Sequence, residues 1–337
     1  MNDRPLPPPD GAPLLEVRDL SVTYHSGKEP VYAVRGVDLS LSPGETLGMA
    51  GESGSGKTTV AMSLLRLLPA QAEVTGRVSF RGEDLLQADW GRVRAVRWAG
   101  ASVVFQGAMS AMNPVQTIGD QIVEPILLHE KVGDKEARAR ASSLLDSVGV
   151  PSRRLSSYPH ELSGGQRQRV MMAMALACDP QLVIADEPTT ALDVIVQAQI
   201  LALLTDLVRE RGISLIMISH DLSVLAQTCD RIAVMYAGKL VETGPSLDVI
   251  AEPLHPYTRA LAGAFPTLGD PRSRLSPGGL AGDPPDLRET LDGCPFAPRC
   301  PLVEERCRHG VIPLRGPDDR AAACVLVPGD ELVGQHG

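Results

Sequence analysis

Aromatic side chains are scarce: 4 Phe, 5 Tyr and 2 Trp serve 337 residues, so any core must be mostly aliphatic. Long apolar runs are missing too. No stretch approaches the roughly 18 residues that span a bilayer, and the densest, Val170 to Cys178, is broken by Asp179 and Pro180. The amino terminus, MNDRPLPPPD, lacks the basic-then-apolar order of a secretory signal, which predicts a chain that stays in the cytoplasm. Positive charge is not in excess. The formal net charge of −9 argues against a nucleic-acid backbone as the main partner. Paired C-x2-4-C knuckles, the usual mark of a zinc site, do not occur among the six cysteines.

Hydrophobic residues make up 43% of the chain. At this length that suffices for one large core and a smaller appended unit. The proline-rich residues 1–13 read as a disordered tail. Strand-like alternation runs over Leu14 to Tyr24 and Val34 to Ser42, and Thr46 to Ala50 is a short apolar strand. Helical spacing runs from Lys57 to Leu68 and stops at Pro69. Residues from about 107 to 178 are rich in helix formers, with an amphipathic helix predicted over Glu136 to Val148. Buried-strand runs at Gln181 to Ala185 and Ile213 to Ser219 flank a helix over Val194 to Arg211. That order predicts an α/β fold with a mostly parallel sheet. Two further strands are predicted over Arg231 to Thr243, turning at Ala237-Gly238. From Glu252 onward proline density rises and apolar periodicity fades, which reads as a separate small unit.

Between the third strand and the first helix lies Gly51-Glu52-Ser53-Gly54-Ser55-Gly56-Lys57-Thr58, followed by Thr59. This is GxxxxGK[ST], a phosphate-binding loop. Its glycines let backbone N–H groups turn toward phosphate oxygens, and the following helix aims its positive end at them. Lys57 adds a point charge, and Thr58 can ligate magnesium. Leu182-Val183-Ile184-Ala185-Asp186-Glu187 is an apolar run ending in two carboxylates. Asp186 is placed to hold magnesium through its water shell, and Glu187 to polarise an attacking water. His220 follows a predicted parallel strand, where ligands gather. It is either a contact for a terminal phosphate or an ordinary surface or core histidine.

Leu162-Ser163-Gly164-Gly165-Gln166 completes a set that resembles the ATP-binding-cassette (ABC) transporter ATPases over about Leu14 to Thr243. The resemblance implies an ABC-type P-loop NTPase fold with four parts. They are a RecA-like mixed-sheet core, an antiparallel β subdomain, an α-helical signature subdomain and a small Cys-containing C-terminal extension. It places the ATPase domain at 14–250, with the helical subdomain at about 107–178, and the extension at 251–337. In that family an aromatic stacks on adenine, and Tyr24 matches it. Gln106 matches the glutamine that reaches magnesium where a transmembrane subunit docks. Asp193 matches the loop that touches the opposite active site, and His220 matches the switch histidine. Ser163, Gly164, Gly165 and Gln166 match the signature, which in the family closes over the ATP held by an opposing subunit.

The likeness narrows further. GMAGESGSGKTT (Gly48 to Thr59), YPHELSGGQRQ (Tyr158 to Gln168), IADEPTTALDVIV (Ile184 to Val196) and HPYT (His255 to Thr258) are similar to the D-type ATPase of dipeptide/oligopeptide permeases. One departure is Gly107, where that family carries an acidic residue, at the docking surface. The resemblance implies ATP and Mg2+ as ligands and a sister ABC ATPase forming a heterodimer. It also implies two transmembrane permease subunits, an extracytoplasmic substrate-binding protein, no nucleic acid, and a peripheral position on the cytoplasmic face of the membrane. Related importers carry nickel, glutathione or sugars. A soluble ABC ATPase, a small-molecule kinase and an iron–sulfur redox sensor are rival classes; the kinase has no use for LSGGQ.

Cys178 and Cys229 lie in apolar or helical contexts and read as small buried hydrophobes. Cys294, Cys300, Cys307 and Cys324 cluster late. Spacing alone leaves a metal site and ordinary thiols both open. The run Gly293-Cys294-Pro295-Phe296-Ala297-Pro298-Arg299-Cys300-Pro301 is similar to the C-terminal motif of peptide-permease ATPases. There four cysteines can hold a 4Fe-4S cluster, and the resemblance extends that ligand set to these four.

Overall fold

The structure, a computed structural model, describes residues 11–25, 27, 29–105, 112–189, 193–264, 282–316 and 319–328. It divides into two compact units. One comprises Met1–Leu14, Leu41–Glu45 and Arg81–Met217, and the other Leu15–Ser40, Thr46–Phe80 and Ile218–Gly337.

The second of these units contains two β layers. In one, β1 (Leu15–Tyr24) lies between β2 (Val31–Leu41) and β4 (Ala72–Phe80). β1 and β4 are antiparallel, with Leu15 opposite Phe80 and Tyr24 opposite Ala72. The buried positions of β1 are Leu15 and Val17, then Leu20 and Val22. Strict alternation slips by one because a bulge falls between Arg18 and Ser21, with Asp19 at φ 46. Gly76 faces this bulge, and a Cβ there would come within 2.4 Å of the Asp19 carbonyl oxygen.

The other layer has the order β11 (Ala321–Ala322), β10 (Lys239–Pro245), β9 (Arg231–Tyr236), β3 (Thr46–Ala50). β3 and β9 are parallel, and the remaining pairs are antiparallel. The β9–β10 hairpin turns at Ala237 (φ 49) and Gly238 (φ 81), the dipeptide expected from sequence. Two successive positive φ values match the right-handed twist of the flanking strands. Helix α1 (Lys57–Leu64) is shorter than the predicted Lys57 to Leu68. Arg66 takes φ 52 and its amide bonds the Ser63 carbonyl, so the helix ends before Pro69 is reached. Helices α7 (Leu222–Thr228), α8 (Ser246–Ala251) and α9 (Pro256–Ala264) follow. α9 lies where apolar periodicity was expected to have faded; it buries Pro256, Tyr257, Thr258 and Leu261.

In the other unit, β7 (Leu182–Asp186) lies between β8 (Ser214–Ile218) and β6 (Ala101–Val104). β6 and β7 are parallel, Ala101 opposite Leu182. Every residue of β7 and β8 is buried, as expected for parallel strands covered on both faces. The short strand β5 (Glu83–Asp84) and helix α2 (Trp90–Val96) precede them in the chain. α3 (Ile118–His129), α4 (Asp134–Ser147) and α5 (Gly164–Ala175) fill the region expected to be helical. α6 spans Val194–Arg211, the predicted bounds, and stops at Gly212, whose φ of 62 suits a helix C-terminus.

Candidate nucleotide site and cysteine pocket

β3 delivers the chain into the glycine loop, and the loop's shape depends on glycine at two places. Gly51 has φ 146, and a Cβ there would lie 2.2 Å from the Met235 carbonyl oxygen. Gly56 has φ 101, and its Cβ would lie 2.4 Å from the Ala33 carbonyl oxygen. Gly56 is also the N-cap of α1 and brings no side chain to cap it. The Lys57 side chain is buried. Its Nζ donates to the carbonyls of Gly51 (2.7 Å) and Glu52 (2.8 Å) and to Ser55 Oγ (3.2 Å). Ser53, Gly54 and Thr58 are exposed, whereas Ser55 is buried and its carbonyl accepts from the Gly238 amide at 3.0 Å. The loop is thus anchored underneath and open on one side, the arrangement a phosphate chain needs.

Two other predicted residues join the loop in this unit. Tyr24 Oη and Thr59 Oγ1 are 3.3 Å apart, which ties the aromatic ring to the start of α1. His220 is exposed and directly follows Ser219, whose amide donates to the Met49 carbonyl of β3. The histidine therefore leaves the fold beside the strand that feeds the loop.

The other unit holds the carboxylates and the signature. Asp186 ends β7 with 3% of its surface exposed. Glu187, half-buried, takes φ 43, a left-handed conformation that costs a non-glycine residue and concentrates at functional sites. Ser163 is the N-cap of α5. Its Oγ accepts from the Gln166 amide at 3.3 Å, while Gln166 Oε1 accepts from the Ser163 amide at 3.1 Å. The helix starts at Gly164, so the Gly164 and Gly165 amides belong to its first turn. A Cβ on Gly165 would lie 2.9 Å from Val196 Cγ1. Asp193 caps α6 by accepting from the Val196 amide at 3.0 Å. One residue, Val196, therefore packs the signature turn against the helix start that Asp193 caps. Gln106 and Gly107 lie outside the described residues.

Cys294, Cys300, Cys307 and Cys324 line one small cavity together with His255. Gly293 (φ 71) allows this closure, since a Cβ would stand 2.4 Å from the Cys307 carbonyl oxygen. Burial pushes the Cys294 thiol up to about 11, the Phe296 amide opposes it, and the other three thiols raise it further. Burial also raises Cys300 and Cys324, opposed by the amides of Leu302 and Leu326. Cys307 Sγ accepts from the Glu304 amide at 3.4 Å. Each of the four sulfurs thus receives one backbone N–H. His255 is buried, which holds it neutral down to about pH 4, and its Nε2 lies 3.9 Å from Cys294 Sγ. Among the described residues, no group of three or more His, Cys, Asp or Glu could hold a metal ion. Cys178 and Cys229 are buried, and burial pushes both thiols up to about 12, as inert core cysteines.

Comparison with known proteins bears directly on these two regions. Residues 34–190 match the family described as ABC transporter, and residues 241–307 match the oligopeptide/dipeptide transporter C-terminal region. The dipeptide transport ATP-binding protein DppD of Bacillus subtilis (strain 168) is 47% identical over 292 residues, covering 86% of this chain and 87% of that protein. The chain belongs to the ABC transporter ATPases. A putative peptide import ATP-binding protein of Brucella abortus (strain 2308) is 49% identical over 328 residues, covering 96% of this chain and 98% of its own. Among solved structures, the dimeric post-hydrolysis state of the ATP-binding cassette MJ0796 bound to ADP and Pi superposes with a TM-score of 0.62 at 28% identity. That match covers 69% of this chain and 98% of the cassette. The α/β fold with an antiparallel layer and a mixed layer is that of an ABC ATPase, an ATP-hydrolysing enzyme that uses Mg2+. No helix among the described residues is long and apolar enough to cross a membrane.

Sequence reasoning missed one part of the site. Arg299, Tyr236, Tyr257 and Phe296 gather around Glu52 of the loop. The only signal was that HPYT carries Tyr257 and CPFAPRC carries Phe296 and Arg299; Tyr236 lies in neither motif.

Proposed function

We propose that this ABC ATPase powers the import of dipeptides or oligopeptides. The reading is carried by the match of residues 241–307 to the oligopeptide/dipeptide transporter C-terminal region, beside an ABC match over 34–190. We assign 14–250 to the ATPase domain and 251–337 to the extension. The chain works at the cytoplasmic face of the membrane, in a heterodimer with a sister ATPase beneath two permease subunits fed by an extracytoplasmic binding protein.

In this reading Ser53, Gly54, Ser55, Gly56, Lys57, Thr58 and Thr59 cradle the phosphates of this chain's own ATP, and Tyr24 stacks on its base. Thr58, Gln106 and Asp186 hold Mg2+, which neutralises phosphate charge. Glu187 orients and deprotonates water, and His220 senses the terminal phosphate. The open turn at Ser163, Gly164, Gly165 and Gln166 is an anion-binding helix start. It and Asp193 serve the ATP bound by the sister subunit. ATP then favours the closed pair and its products the open one, and this differential affinity drives the permease subunits. Uptake of a labelled peptide panel by the reconstituted complex tests the reading. Uptake of nickel or glutathione with no peptide transport would reassign the cargo.

The location of the signature makes a separate prediction. Ser163→Ala should slow hydrolysis at the sister subunit's P-loop and spare this chain's own, when each site is read with the other subunit's P-loop lysine removed. Equal loss at both sites would remove the trans assignment.

The four thiols match a 4Fe-4S cluster in number and donor type, although as placed here they do not form a metal-binding group. They share one cavity, and each sulfur receives a backbone N–H of the kind that stabilises cluster thiolates. Bound there, a cluster would cross-link a segment that has little apolar surface of its own. Anaerobically purified protein should carry about four irons per chain, with a broad visible absorbance that Cys294→Ser removes. Iron-free wild-type protein would end the assignment.

A further inference from the structure

Glu52 is the first variable residue of the phosphate loop, and all of its polar groups are engaged. Its amide donates to Tyr257 Oη at 2.8 Å. Its carbonyl accepts from Lys57 Nζ at 2.8 Å and from the Ser55 amide at 3.2 Å. Its carboxylate takes both arms of the Arg299 guanidinium, at 2.8 and 3.0 Å. Arg299 is itself fixed. Its side chain is 6% exposed, Nη1 also donates to Tyr236 Oη at 3.1 Å, and its guanidinium carbon stands 5.8 and 5.9 Å from the rings of Tyr236 and Phe296. Those two rings and Tyr257 pack on one another at centroid distances of 4.5 to 5.4 Å. Arg299 closes the short turn Ala297–Arg299 and precedes Cys300, so the cysteine segment carries the clamp.

A buried ion pair can simply fasten a tail to a domain. Two features argue for more. The segment is already fastened elsewhere, by the β10–β11 ladder and by the packing of Phe296 on Tyr236. The pair also ends on a loop residue rather than on a rigid strand. A bidentate fork restricts rotation of the carboxylate far more than a single contact does. With the amide held by Tyr257, the direction of the Glu52 carbonyl is set, and that carbonyl is one of the acceptors for the Lys57 ammonium.

We propose that Arg299 is a positioning residue for the phosphate loop. Through Glu52, with Tyr257 on the neighbouring amide, it holds Lys57 and the loop amides in the arrangement that binds MgATP. This rests on reading the loop as the ATP site. The C-terminal extension thereby contributes to nucleotide affinity from outside the ATPase domain.

The test is equilibrium binding of a fluorescent ATP analogue with Mg2+ to the full chain, with melting temperature measured without nucleotide. Variants are Arg299→Gln, Arg299→Lys, Glu52→Gln, the pair Glu52→Gln/Arg299→Gln, and Lys57→Ala. Arg299→Lys keeps the charge and loses the fork, so it serves if Arg299→Gln does not fold. Each single change at Arg299 or Glu52 should raise the Kd about 5- to 10-fold, and the pair should be no worse than the worse single, as coupled partners behave. In the assembled transporter the KM for ATP should rise by the same factor, with kcat within about twofold. An unchanged Kd in both Arg299 variants, or lowered melting with normal Kd, makes Arg299 a fastener only and overturns the proposal. Unchanged Kd in Lys57→Ala would instead overturn the ATP-site reading.

Discussion

Glu187→Gln is expected to lower ATP turnover at this chain's own site by roughly 10²- to 10⁴-fold while leaving MgATP binding intact. Glu187 stands at the carboxyl end of β7, one residue beyond buried Asp186, in a left-handed conformation at φ 43. A glutamine fits the same space and keeps one hydrogen-bond acceptor, but it cannot take a proton from water. In the proposed pairing with a sister ATPase, the closed pair should therefore still form with ATP and then persist. Phosphate release should be measured with the sister subunit's own site disabled, alongside ATP-dependent association of the pair. Undiminished phosphate release would remove Glu187 from the role of base.

Gly56→Ala should be nearly as severe for a different reason. At φ 101 an L side chain is strained, and the new Cβ would meet the Ala33 carbonyl oxygen at 2.4 Å, well inside contact distance. That oxygen belongs to β2 and cannot swing aside as a side-chain tip can. We expect a stability loss of about 2–4 kcal/mol and loss of nucleotide binding, because α1 and its phosphate-facing amides start at this residue. Gly54→Ala is the control. Gly54 has φ 77, but nothing lies within 4 Å of its Cβ position, so only the conformational cost of about 1–2 kcal/mol applies. Urea unfolding and ATP binding compared between the two variants check this. Equal effects would show that the close approach to Ala33 is not what demands glycine.

Much of this molecule was legible from local pattern. α6 and the β9–β10 turn fell where periodicity and turn chemistry put them. β1 was legible as a strand, but its inward set was not. The bulge at Asp19 moves the buried positions from Leu15 and Val17 to Leu20 and Val22, and its partner, Gly76, lies in a strand with no clear alternation of its own. α1 ended early because Arg66 adopts a left-handed conformation, an outcome that helix propensity does not encode. The signature turn was legible as a motif. Its first-turn geometry, and the contact of Gly165 with Val196, were not.

The sequence by itself determined the phosphate loop and the family. A phosphate cradle is made from contiguous backbone amides, and the residues that permit it, Gly51 to Thr58, must stand next to one another in the chain. The tertiary structure alone decided how distant segments complete the site. Arg299 reaches Glu52 across 247 residues, and the four thiols meet in one cavity although the described residues between Cys294 and Cys324 form no long periodic element. No periodicity or spacing rule spans such separations. The pairings exist because β9 and β10 bring Tyr236 under the loop, and because the rings of Tyr257 and Phe296 fill the space beside it.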